Sequence, residues 1–134
     1  CLAHWCPALA DNTDLPAVLY PWLMVLGADD LGAFEACATL LSNWTLRFFE
    51  CHPHPPIEVL AQAEALLRHA APHVHAHLLG MGVGPNLWGW PLLESLFCRV
   101  LRYDAWLALC DHILTQEPIF VLHLLVGYVQ AHGP

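Results

Sequence analysis

Apolar residues in this chain recur three and four positions apart. Strict alternation is absent apart from the histidines in Pro72-His73-Val74-His75-Ala76-His77-Leu78. A spacing of three and four keeps side chains on one face of an α-helix, whereas a half-buried strand needs them at every second position. The clearest seam is Phe34, Cys37, Leu41, Trp44 and Phe48, with Glu35, Thr39, Ser42 and Glu50 lying off it. The rhythm therefore predicts an all-α fold and no strand.

Prolines and short polar runs cut that rhythm into segments, because proline lacks an N–H and clashes with the preceding turn. Residues 1–10 read as the tail of one helix. A second opens at Asp14-Leu15-Pro16 and runs to Leu26, with Pro21 expected to kink or split it. The third and longest starts near Asp29-Asp30 and reaches about Cys51, where His52-Pro53-His54-Pro55-Pro56 stops it. A fourth spans Ile57 to His69, with Leu60, Ala63 and Leu67 inward and Glu58, Gln62 and His69 wet. A short fifth covers Pro72 to Leu79, and Gly80 to Pro85 is a loop. A sixth extends from Pro91 to Leu101, turning Leu93, Leu96, Phe97 and Val100 inward. The seventh starts at Asp104 as its N-cap, buries Trp106, Cys110, Ile113 and Leu114, and stops at Pro118. The last runs from Ile119 to Gln130.

Charge narrows the function. Of 134 residues, 57% are hydrophobic and only 12% are charged. Soluble domains average about 25% charged, so part of this surface is expected to be covered by a partner, by a missing half of the same domain or by another copy of the chain. There is no lysine; Arg47, Arg68, Arg99 and Arg102 face twelve carboxylates, for a net charge of −8. Four scattered arginines make no phosphate-binding patch, which excludes nucleic acid and disfavours an anionic membrane surface. The uncharged run from Ala71 to Leu93 is long enough to span a bilayer. Its three histidines, four glycines and prolines interrupt it, so membrane insertion is not expected. No initiator Met or basic leader opens the chain, which reads as an excerpt of a longer protein over residues 1–134.

Candidate chemistry is thin. His73 and His77 stand four apart, as do His69 and His73, a spacing that can supply two corners of a zinc site. Nothing elsewhere in the chain supplies a recognised second half. Surface histidines, one of them buried and satisfied, are the preferred reading, and no metal or cofactor is expected. Six cysteines occur without a C-x-x-C pair, mostly within apolar seams where free Cys packs as a small hydrophobe, which suits a reducing cytoplasmic setting. Ser42 and Ser95 sit in no nucleophile elbow. Gly80 to Gly84 follows no strand and carries no lysine, so it is no phosphate cradle. Asn43-Trp44-Thr45 spells a glycosylation sequon inside a helix, where use is not expected. The six tryptophans read as core and interdomain filler.

Ordered strings nevertheless carry a family likeness. Leu41-Ser42-Asn43-Trp44, the run from Phe48 to Pro56, Trp88-Gly89-Trp90-Pro91-Leu92-Leu93 with Phe97, and Trp106 to Asp111 together resemble the C-terminal half of a TBC domain, the Rab GTPase-activating module. "FEACATLLSNW", "FFECHPHPPIEVL" and "WPLLESLF" are similar to the divergent TBC branch of WD-repeat proteins of centriolar satellites and cilia. The resemblance implies an orthogonal array of about seven or eight helices. It assigns structural roles to Asn43, Trp44, Phe49, Pro53, Pro56, His77, Trp88, Phe97, Trp106 and Asp111. His77-Leu78, following Pro72, falls on the family's P-x-x-x-x-H-L pattern, which implies a structural histidine rather than a ligand. Cys110 stands where the family usually has tryptophan before the aspartate, so that motif is degraded.

Active members of the family supply an arginine from I-x-x-D-x-x-R and a glutamine from Y-x-Q, both in the N-terminal half. The residues three before the four arginines here are Trp44, Ala65, Leu96 and Arg99; none is aspartate. Tyr128-Val129-Gln130 spells Y-x-Q but follows every other matched string, and reads as coincidence. The resemblance thus implies a non-catalytic helical interaction module, not itself an enzyme. Its partners would be proteins, a Rab-type small GTPase or a centrosomal or ciliary protein. The alternative is the C-terminal lobe of an active Rab activator whose catalytic residues lie upstream.

Overall fold

The computed structural model describes residues 2–13, 15–45, 51 and 54–133, without the side chains of Ala8, Ala17 and Trp44. Nine α-helical segments and no strand occur among the described residues. They are α1 (Leu2–Trp5), α2 (Leu15–Leu26), α3 (Asp30–Thr39), α4 (Ile57–Ala70), α5 (Pro72–Gly80), α6 (Pro85–Trp88), α7 (Trp90–Glu94), α8 (Tyr103–Thr115) and α9 (Phe120–His132). A 3₁₀ turn, Pro7–Leu9, follows α1, so residues 1–10 are not one continuous helix. The all-α expectation holds.

Local chemistry sets most boundaries. Asp29 is the N-cap of α3, its carboxylate accepting the Gly32 N–H at 3.0 Å. Pro72 opens α5 at a position where the missing N–H costs nothing. Gly82, at φ 72°, makes the left-handed turn that leaves α5. Pro21 lies inside α2 yet does not split it. After Thr39 the backbone widens into a π-helical stretch, Leu40–Trp44, rather than continuing as α-helix. Cys51, where that helix was expected to end, is described and exposed, its carbonyl accepting the His54 N–H at 2.8 Å. The seam residue Phe48 and the site residues Phe49 and Pro53 lie outside the described residues, as do His52, Arg47 and the side chain of Trp44.

One core runs through these elements. Leu60, Ala63 and Leu67 form the inner stripe of α4, which packs on α5, α6 and α9. Val121, Leu122, Leu125, Val126 and Val129 of α9 complete it. Gly89 joins α6 to α7 where a Cβ would lie 2.9 Å from the Pro85 carbonyl and 3.5 Å from the Leu60 and Leu125 methyls. A side chain there would touch the α4 and α9 methyls at ordinary contact distance but clash with the Pro85 carbonyl, forcing the α6–α7 junction to shift. On the other side, α2 packs on α3, and α8 packs on the π-helical stretch.

Four expectations need correction here. The helix from Pro91 ends at Glu94, not Leu101. Leu96 and Phe97 then take left-handed backbone, φ 43° and 62°, and Val100 turns outward, 45% exposed. Asp104 is not a cap; it sits in the first turn of α8, which Arg102 precedes. Leu109, rather than Leu114, joins the fully buried side of that helix.

Candidate functional site

The turn after α7 is where the chain spends conformational strain. A left-handed non-glycine residue costs roughly 1–2 kcal/mol, and two stand in sequence here. Both side chains are buried, Phe97 at 0% exposure and Leu96 at 1%. The Phe97 ring meets Tyr128 of α9 edge-on, centroids 5.7 Å apart. The Ser95 hydroxyl donates to the Pro91 carbonyl at 2.9 Å, closing the end of α7. The Trp106 indole N–H donates to the Leu96 carbonyl at 2.9 Å, tying α8 to the turn. Burial of two large side chains and a satisfied carbonyl outweighs the strain, since each buried side chain contributes about 1.5–3 kcal/mol.

Trp106 in turn places α2. The rings of Trp22 and Trp106 meet edge-to-face, centroids 6.0 Å apart and planes at 75°. Leu15, Val18, Leu19 and Trp22 form the inner face of α2, all buried. The outer face is left uncovered: Tyr20, Leu23, Met24 and Val25 are 61%, 48%, 62% and 62% exposed. No charged residue occurs between Leu15 and Leu26. Two hollows flank this helix and share Pro21 and Trp106. One, of about 650 Å³, is an open groove walled by Pro16, Tyr20, Cys98, Arg99, Leu101 and Tyr103. The other, of about 240 Å³, lies between Trp22 and Val25 of α2 and Leu107, Cys110 and Asp111 of α8.

The chain matches the Rab-GTPase-TBC domain over residues 1–132.

It belongs to that family.

It is 36% identical over 128 residues to TBC1 domain family member 31 of Xenopus tropicalis, covering 96% of this chain and 12% of that protein. It is 35% identical over 127 residues to proteins of the same name from Mus musculus and Homo sapiens, covering 95% of this chain and 13% and 12% of theirs. The chain thus spans only about an eighth of these relatives. No solved structure matches it.

The TBC motif residues do not converge on one site. Trp106 bonds to the Leu96 carbonyl, one residue before Phe97 in the turn, and Asp111 lies on the exposed side of α8 at the smaller hollow. Pro56 is buried and caps the start of α4, its carbonyl accepting the Leu60 N–H at 3.0 Å. Trp88 ends α6, half-buried against the core. Asn43 and His77 face solvent. The hydroxyl of the buried Thr45 donates to the Leu41 carbonyl at 2.9 Å, so the sequon's third residue is not presented to solvent.

Among the described residues the histidines do not form a metal-binding cluster either. His69 belongs to α4 and His73 to α5, and the break at Ala71 removes the helical register between them. His75 stands off the exposed His73–His77 face and is half-buried, its Nε2 3.3 Å from Glu64 Oε1, joining α5 to α4. Among the described residues no three of His, Cys, Asp or Glu come together as metal ligands would. Burial pushes the Cys37 thiol up. Burial, then the nearby charges of Asp111 and Cys98, push the Cys110 thiol up further. Both are held as neutral thiols and are poor nucleophiles. Gln130 is exposed on α9, while its motif neighbour Tyr128 stacks on His132 at 4.3 Å.

The uncovered outer face of α2 is the feature that sequence reasoning did not place. Trp22 itself is 8% exposed, in keeping with the tryptophans as core filler. The signal that locates it is the spacing of Leu15, Val18, Leu19 and Trp22, which defines a single inner stripe.

Proposed function

We propose that this chain is a TBC-type helical lobe that acts as a protein-interaction module and supplies no catalytic group of its own. The carrying observation is α2: one uncharged helix, buried on one side, with four large apolar residues exposed on the other beside a groove. Contiguous apolar patches of this kind mark surfaces that a partner covers. The arginine spacing supports the non-catalytic half of the reading, since no arginine follows an aspartate by three positions. A Rab-type small GTPase or a centrosomal or ciliary protein is the partner class that the family suggests, in the cytoplasm. A second copy of the chain would cover the face equally well. No helix among the described residues is long and apolar enough to cross a membrane.

A second reading has one observation in its favour. The relatives are about eight times longer than the matched segment, so this lobe could work beside catalytic residues carried elsewhere in the same protein.

Dye binding and sedimentation test the surface. The chain should bind an apolar-surface dye and associate with rising concentration. Met24→Asp with Val25→Asp should abolish both while leaving the helical spectrum intact. A strictly monomeric, dye-silent wild-type chain would contradict the reading.

A further inference from the structure

We propose that the 240 Å³ hollow between α2 and α8 receives the side chain of an arginine carried by the protein that covers α2. The inference rests on the reading of α2 as a covered face and specifies the chemistry of what covers it.

Size comes first. Sites for whole small molecules begin at roughly 300 Å³, so this hollow suits one side chain rather than a cofactor. Its walls come next. Trp22 and Trp106 line it with rings at 75° to one another, and Pro21, Val25 and Leu107 supply aliphatic contact. Aromatic rings attract a cation through their quadrupole, and aliphatic walls suit the methylene stem of a long basic side chain.

Charge decides between a cation and a neutral apolar residue. Asp111 lines the same hollow and is exposed, and no cation among the described residues pairs with its carboxylate. The chain as a whole carries −8 with no lysine, a field that favours a basic partner. Arg99 lines the neighbouring open groove and not this hollow. The partner's cation is thereby directed to the Asp111 end. A guanidinium fits better than an ammonium. It is planar, stacks on aromatic rings, is more weakly hydrated, and presents a fork that matches a carboxylate.

The test uses acetyl-Leu-Arg-Leu-amide as probe, with the citrulline peptide as an uncharged isostere. The readout is the indole N–H resonances of Trp22 and Trp106. The arginine peptide should shift both at millimolar concentration. Citrulline, or Asp111→Asn, should weaken binding by about tenfold, and Asp111→Glu should restore most of it. Added salt should weaken the arginine peptide alone. No shift at millimolar peptide, or equal shifts with arginine and citrulline, overturns the proposal. Equal shifts would leave α2 as a covered apolar face and remove the cation. Loss of dye binding or association would instead strike the interaction reading itself.

Discussion

The indole N–H of Trp106 donates to the Leu96 carbonyl at 2.9 Å. That carbonyl belongs to a residue at φ 43°, in the turn that ends α7. The bond therefore holds two things at once: a strained backbone, and the position of α8 against it.

Trp106→Phe keeps the ring but leaves a buried carbonyl without its donor. The expected cost is about 1–3 kcal/mol, read as a lower urea midpoint. Trp22→Phe should behave differently, because the Trp22 indole N–H is buried with no acceptor among the described residues. Removing it deletes a stranded donor as well as some ring volume, and the two effects oppose each other. Equal losses for the two variants would contradict this geometry.

At Leu96 two effects compete. Glycine would relieve left-handed strain of roughly 1–2 kcal/mol, but it would empty a fully buried leucine site. Large-to-small core changes cost about 2–5 kcal/mol. Leu96→Gly should therefore destabilise, though by less than Leu93→Gly, whose backbone lies within α7. A Leu96→Gly protein more stable than wild type would show that the turn is under far greater strain.

The fold was legible in the sequence wherever periodicity and proline agreed. The spans of α4, α5 and α9 fall within about two residues of the expected ones, because an inner stripe such as Leu60, Ala63 and Leu67 leaves little choice. The end of α7 was not legible. Ser95-Leu96-Phe97-Cys98 contains no glycine or asparagine to announce positive φ. That turn is imposed by distant partners, Trp106 and Tyr128. The helix α6 was missed although Gly84-Pro85 carries a readable start signal. The candidate surface was half legible: the shortage of charge predicts a covered face and the Leu15, Val18, Leu19 and Trp22 stripe marks the inner side of α2, but only the packing shows that Tyr20, Leu23, Met24 and Val25 are left uncovered.

The His75–Glu64 contact should matter little. Its side chains are 17% and 40% exposed, and such pairs contribute about 0–1 kcal/mol. His75→Ala should therefore shift the urea midpoint far less than Leu67→Ala, which empties a core site at a cost of about 2–5 kcal/mol. A larger loss from His75→Ala would mean that the contact between α4 and α5 depends on this pair.

Alkali should destabilise the chain through its buried thiols. The folded pKa values of Cys37 and Cys110 are raised by burial, so their contribution is fully present below the unfolded thiol pKa of about 8.5. Above it the unfolded state loses the proton first. Each thiol then withdraws about 1.4 kcal/mol per pH unit until its folded pKa is reached. Stability measured from pH 7 to 10 should fall, and Cys37→Ala with Cys110→Ala should flatten the slope. The exposed Cys51 should react with a thiol reagent long before either of them.

Single-turnover GTP hydrolysis by a panel of Rab GTPases, with and without the chain at micromolar concentration, distinguishes a covering surface from a catalyst. An arginine finger delivered in trans is worth about 10³–10⁵ in rate, and no arginine here stands in that motif. Each GTPase should hydrolyse GTP at its own unassisted rate. Acceleration that disappears when one of Arg47, Arg68, Arg99 or Arg102 is changed to alanine would contradict the proposed function.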